Sequence, residues 1–184
     1  MEFNDHSKLV GEHSFLSASN YHWINYSEEK LAEVYANHLA TLNGTETHEF
    51  AALCIRRGQK LPNSRKTLSM YVNDCIGFKM TPEQPLVYSL NAFGTADAIS
   101  FTKNKLKIFD LKTGSTKASM HQLEIYAAYF CLEYDIRPGD IEIELRIYQS
   151  GEIMIANPTA EIIAPIMDKI VTFDKIIERV KEGN

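Results

Sequence analysis

Ile108-Phe109-Asp110-Leu111-Lys112-Thr113-Gly114 is the stretch on which the reading of this chain turns. In a strand, residues two apart project to the same side. Asp110 and Lys112 therefore leave the strand's end together, while Leu111 turns into the core. A charged pair among Ile108, Phe109 and Leu111 is costly to leave half-buried without a task. The plainer alternative is an ordinary salt bridge between Asp110 and Lys112 or a neighbour.

Upstream, Thr102-Lys103-Asn104-Lys105 reads as a hairpin turn between strands at Thr95–Phe101 and Leu106–Leu111. That register can bring Asp97, in Gly94-Thr95-Ala96-Asp97-Ala98-Ile99, beside Asp110. Two carboxylates at one point repel unless something positive lies between them. Mg²⁺ answers that need, as a hard cation with oxygen ligands. Pro85–Asn91 supplies another strand.

Downstream, Met120–Tyr134 reads as a helix with Leu123, Ala127, Phe130, Cys131 and Tyr134 on one side. Gln122 and Tyr126, four apart, share a face of it. After the turn Arg137-Pro138-Gly139-Asp140, the segment Ile141–Tyr148 alternates. Ile141, Ile143, Leu145 and Ile147 take one face; Glu142, Glu144, Arg146 and Tyr148 take the other. Gln149–Glu152 turns into a last strand, Ile153–Ala156. The segment after Pro158 is helical, with a stripe of Ile163, Ile166, Ile170, Phe173, Ile177 and Val180. That stripe packs on the sheet or, alternatively, forms a dimer seam. Pro165 marks the start or a kink of this helix.

The first half reads as helical. Ser27 caps a helix with Glu28 and Glu29 in its first turn, followed by Leu31, Val34, Tyr35 and Leu39. Asn43-Gly44 breaks it, and a second helix runs from near Thr45 to about Arg57. After a turn at Pro62-Asn63-Ser64, Arg65–Cys75 is helical again. His48, on the second helix, is a surface or core-edge histidine or else a ligand. Tyr21 and Trp23 belong to the core or stack on single-stranded bases. The whole is one α/β domain over 1–184, with about five strands and flanking helices. Its core spans about 17–157 and its C-terminal helix about 159–181.

At 184 residues, 45% hydrophobic and 23% charged, the chain is neither disordered nor of low complexity. A net charge of −5 argues against a general nucleic-acid coat protein. The charge is nevertheless uneven. Arg56–Lys66 holds five cations and no acid, and Phe101–Lys117 holds five cations and only Asp110. These are solvated surface segments or a basic face suited to phosphates. Cys54, Cys75 and Cys131 form no C-x-x-C pair, which argues against a zinc or iron–sulfur framework and suits a reducing cytosol. Met1–Val10 lacks the apolar run of a signal peptide, and no run approaches the roughly 18 apolar residues of a membrane span.

Taken in order, His48, Gly94-x-x-Asp97, Asp110-x-Lys112 and Gln122-x-x-x-Tyr126 resemble the PD-(D/E)XK nuclease superfamily, and more narrowly its RecB-type exonuclease branch. Phe15-Leu16-Ser17-Ala18-Ser19 resembles the S-x-S opening common in that branch. The likeness runs from about Ser17 to Tyr148 and looks most like a phage-encoded member.

The resemblance implies a restriction-endonuclease-like core with a central mixed sheet. It implies that His48, Asp97, Asp110 and the Leu111 carbonyl bind metal. Mg²⁺ is expected, with Mn²⁺ able to substitute because a histidine ligand is softer than oxygen. The iron–sulfur members carry four cysteines flanking the core, a set this chain lacks, so no cluster is expected. Lys112 would orient or deprotonate the attacking water. Gln122 and Tyr126 would hold the DNA backbone or the reacting phosphate, with Lys117 and Arg57 as further DNA contacts. Glu49 is a reserve for an acidic role on the His48 helix. The expected activity is metal-dependent DNA hydrolysis in phage recombination, repair or processing, exonucleolytic rather than endonucleolytic. The alternatives are a structure-specific endonuclease on the same fold and a non-catalytic DNA- or partner-binding module. Expected partners are DNA and, by analogy, a recombinase, single-strand-binding protein or helicase in the host cytoplasm, with no membrane.

Overall fold

The computed structural model describes residues 14–183, so Met1–Val10, read above as lacking a signal peptide, lies outside the described residues. The chain divides into two compact units at Asn43/Gly44.

The first unit holds a short 3₁₀ turn, Tyr21–Asn25, and the start of helix α1, Glu28–Arg57. None of its described residues is buried. Its contacts are local. The Trp23 indole donates to the Ser17 carbonyl at 2.9 Å, and Phe15 meets Tyr35 edge-on at 4.9 Å. Trp23 is half-buried, whereas Tyr21 is 61% exposed beside His22, so Tyr21 is not a core residue.

The second unit carries the rest of α1, then α2 (Thr67–Gly77), β1 (Thr81–Ser89), β2 (Ala92–Thr102), β3 (Lys105–Lys112), α3 (His121–Glu133), β4 (Glu142–Gln149), β5 (Glu152–Ala156) and α4 (Ala160–Lys181). The five strands form one sheet in sequence order. All neighbours are antiparallel except β3 and β4, which are parallel. A parallel pair needs a crossover, and α3 supplies it. This is the expected α/β architecture, a central five-stranded mixed sheet flanked by helices. The β2–β3 hairpin turns on Lys103 and Asn104, both at positive φ (51° and 58°), which two-residue hairpins favour. Pro82 and Pro85 sit on β1, an edge strand, where a missing N–H is tolerated.

Each face of the sheet is covered. Leu106, Ile108, Ile143, Leu145 and Ile147 pack under Leu123, Ala127, Cys131 and Ile163 of α3 and α4. Phe109, Leu111, Tyr148 and Ala98 pack under Ala51, Cys54 and Ile55 of α1 and Tyr71, Val72 and Cys75 of α2.

Three expectations are corrected here. Asn43-Gly44 does not break the helix, because an interior glycine costs only about 1 kcal/mol against alanine. A Cβ on Gly44 would lie 3.0 Å from Thr113 Oγ1, so the glycine permits a close approach to the loop after β3. Tyr134 falls past the end of α3 and is exposed. The α4 stripe divides: Ile163, Ile166 and Ile170 join the core, while Phe173, Ile177 and Val180 are exposed, Val180 at 69%. The polar face of β4 is covered. Glu144 and Tyr148 are buried there, in a network with Lys105, Lys107, Arg146 and Asp74. Lys105 and Lys107 are therefore committed to Glu144, which removes two cations from the basic face proposed for Phe101–Lys117. Among the described residues, no helix is long and apolar enough to cross a membrane.

Candidate functional site

The site lies where β2 and β3 part. Their pairing ends at Ala98↔Phe109, one step short of Asp97 and Asp110. The Leu111 N–H donates instead to Asp97 Oδ2, at 2.9 Å. A carboxylate thus stands in for the next backbone acceptor, while the Leu111 side chain stays in the core.

The side-to-side alternation of β2 slips at the same place. Gly94 points at Tyr126 of α3, and Ala96 and Ile99 join the core under α3, yet Ala98 joins the core on the opposite face. Opposite Asp97, between the pairs Pro82↔Ala98 and Gln84↔Ala96, Glu83 takes φ = 52°. A non-glycine residue there is held in a sparsely populated region, as a strand irregularity often requires.

This irregularity gathers a polar cluster. His48 Nδ1 lies 3.3 Å from Asp97 Oδ2. His48, Glu83 and Asp97 can each bring one ligand atom within 4.8 Å of the other two. The hydrogen bond to Asp97 raises the His48 pKa above its ordinary value; burial opposes this, and the charges of Asp97, Asp110 and Glu83 add to it. Burial and the Asp97 charge raise the Glu83 carboxyl, against His48 and Arg56.

On the other side, Asp110 is 2% exposed. Burial and then the charge of Asp97 push its pKa up to about 6, with Lys112 and His48 opposing. Lys112 Nζ lies 3.2 Å from Asp110 Oδ1 and 3.1 Å from Oδ2. The contact to Oδ2 lacks hydrogen-bond geometry, so that buried oxygen accepts no hydrogen bond. The same ammonium donates to Gln122 Oε1 at 2.8 Å, and Gln122 Nε2 donates to Tyr126 Oη at 3.2 Å. Tyr126 lies so close to Gly94 that a Cβ there would fall 2.8 Å from its Cε1.

Two carboxylates and an imidazole around one point, with the buried Asp110 carboxylate close enough to act on them through its charge, form a donor set that fits a divalent cation. The oxygens suit Mg²⁺ and the imidazole suits Mn²⁺ as well. Of the residues singled out in the sequence, His48, Asp97, Asp110, Leu111, Lys112, Gln122 and Tyr126 come together. Lys117 and Arg57 are exposed and make no ion pair with the cluster. Arg56, not Arg57, is the α1 arginine whose charge reaches Glu83. Glu49 is exposed and acts on Glu83 only through its charge.

Glu83 escaped the sequence reading. Its neighbour Pro82 and its place before the strand called at Pro85 hid it, and nothing in an alternation pattern signals a left-handed residue. Comparison with protein-family models, curated proteins and solved structures finds no match for this chain.

Proposed function

We propose that this protein is a divalent-metal-dependent deoxyribonuclease of the PD-(D/E)XK type, acting on DNA ends. The observation that carries the proposal is the buried, donorless Oδ2 of Asp110 beside the His48–Glu83–Asp97 cluster, with Lys112 against it. A buried carboxylate oxygen that accepts no hydrogen bond, with only the Lys112 ammonium beside it, is expensive as mere structure.

In this reading Asp97 and Asp110, with His48 and Glu83, hold the cation. When bound, the ion acts as a Lewis acid on the scissile phosphate and on the attacking water. The Lys112 ammonium, fixed between Asp110 and Gln122, presents positive charge where the transition state gains negative charge. By donating to one lone pair of the attacking water, it would hold that water with its other lone pair free for phosphorus. Gln122 and Tyr126 anchor the non-bridging oxygens of the same strand, Gln122 setting the Lys112 rotamer and Tyr126 setting Gln122. The cytoplasm suits this activity, and the three free, buried cysteines suit a reducing compartment.

The test is cleavage of end-labelled linear DNA beside a closed single-stranded circle, with Mg²⁺, Mn²⁺ or EDTA. The expected result is metal-dependent loss of linear DNA alone, abolished by Lys112→Ala. Loss of the circle as well would make it an endonuclease. Cleavage unchanged in Lys112→Ala would overturn the site.

A further inference from the structure

The loop that leaves β3 directly after Lys112, residues 113–119, contains no acid, and a single side chain organises its inner side. Gln149, buried at the end of β4, donates from Nε2 to the carbonyls of Gly114 (2.7 Å) and Thr116 (2.8 Å). Its Oε1 accepts from the Ala118 N–H at 3.2 Å. Both donors and the oxygen of this carboxamide go to one loop.

That clamp fixes what the outer side presents. In a trans peptide the N–H points away from the C=O, and no described peptide is cis. With the carbonyls of Gly114 and Thr116 turned inward, the N–H groups of Ser115 and Lys117 face outward. Neither has a backbone partner among the described residues. Ser115, Thr116 and Lys117 are exposed, and no ion pair is formed by the Lys117 ammonium among the described residues. Two outward N–H groups, two hydroxyls and an ammonium, with no carboxylate among them, give this exposed stretch the donors that an anion needs.

We propose that the Ser115–Lys117 segment, held open by Gln149, binds a backbone phosphate of the DNA strand, next to the phosphate that is cleaved. The proposal rests on the nuclease reading for the identity of the anion. The loop leaves β3 one residue past Lys112, which favours a phosphate of the strand being cut. Gln149 is a positioning residue, since it touches the loop and not the DNA. Because the contact is to the backbone, it adds affinity without base preference.

The experiment is binding of a labelled single-stranded oligonucleotide to the full chain in EDTA, across a salt series. Wild type, Lys117→Ala and Ser115→Pro are compared, with melting temperatures as the control for folding. Proline removes both the Ser115 N–H and its hydroxyl, and leaves the rest of the loop exposed. Lys117→Ala should flatten the slope of log K against log salt by about 0.7, the share of one single-strand phosphate contact. Ser115→Pro should weaken binding by at least about tenfold with the melting temperature held, as loss of a hydrogen bond to a charged partner requires. If wild type binds and cleaves while both variants match it in slope and affinity, the phosphate site is overturned and the nuclease reading stands. If the variants behave as expected but wild type cleaves nothing with Mg²⁺ or Mn²⁺, the phosphate site stands and the nuclease reading falls. No binding by wild type at low salt removes both.

Discussion

Glu83 stands across from Asp97 on the neighbouring strand, at φ = 52°, with His48 closing the triangle from α1. Two acids so placed repel, and the surroundings already raise the Glu83 pKa through burial and the Asp97 charge. A divalent ion reverses that balance. Glu83→Gln keeps the shape and removes the charge. It should weaken Mn²⁺ binding by about 10- to 100-fold in calorimetry, the size seen when a metal's supporting groups are altered. Unchanged affinity would remove Glu83 from the site.

Asp110 makes an opposed prediction for stability. Its folded pKa of about 6 lies above the ordinary 3.8, so the folded protein holds this proton more tightly than the unfolded chain. The group's contribution is therefore most favourable below pH 3.8, declines through the window from 3.8 to 6, and stays unfavourable above it. Without metal, Asp110→Asn should be more stable than wild type at pH 7, by up to about 3 kcal/mol, and equal to it near pH 3.5. Adding Mn²⁺ at about 100 times its Kd should restore about 2.7 kcal/mol to wild type alone. Melting curves at the two pH values, with and without the ion, check both halves. A variant less stable than wild type at pH 7 would contradict the account.

Gly94→Ala tests how closely Tyr126 is held. The new Cβ would lie 2.8 Å from Tyr126 Cε1, well inside contact distance, so the ring must move. Overpacking of this kind costs about 1–3 kcal/mol. The displaced phenol also loses the Gln122 amide, and cleavage should drop with it. A crystal structure of the variant with Tyr126 unmoved would refute the tight packing.

Glu144 governs the acid limit. Burial alone would raise its pKa, but hydrogen bonds from Lys107, Lys105 and Arg146 outweigh that and bring it down to about 2. With a depressed folded pKa, its stabilisation is complete above 4.5 and is lost as pH falls from 4.5 towards 2. Glu144→Gln should cost about 3 kcal/mol at pH 7 and almost nothing at pH 2. Denaturant melts at both pH values measure the difference. A constant deficit at all pH values would show that packing, not charge, is what Glu144 supplies.

Much of the site was legible in the sequence because it rests on short-range rules. Alternation places Asp110 and Lys112 on one side of a strand. A Lys-Asn turn fixes the hairpin, and with it the approach of Asp97 to Asp110. Helical spacing pairs Gln122 with Tyr126. What escaped depends on tertiary contacts. Glu83 reaches the cluster through a backbone conformation that no spacing encodes. Gly44 reads as a breaker and is instead the point where α1 meets Thr113. Alternation assigns Glu144 and Tyr148 to one face of β4 but cannot tell water from the layer of paired charges that covers it. The split of the α4 stripe follows from where the underlying sheet ends, which only the assembled fold determines.

The Asp97 oxygen that faces His48 also terminates the pairing of β2 with β3, through the Leu111 N–H. Drawing that oxygen towards an ion loosens the last rung of the sheet. The Leu111 amide proton therefore works as a clock for the site. Its exchange with deuterated solvent should quicken, and its resonance move, as the metal is titrated in. Occupancy can then be followed at a single backbone position, in the absence of any DNA.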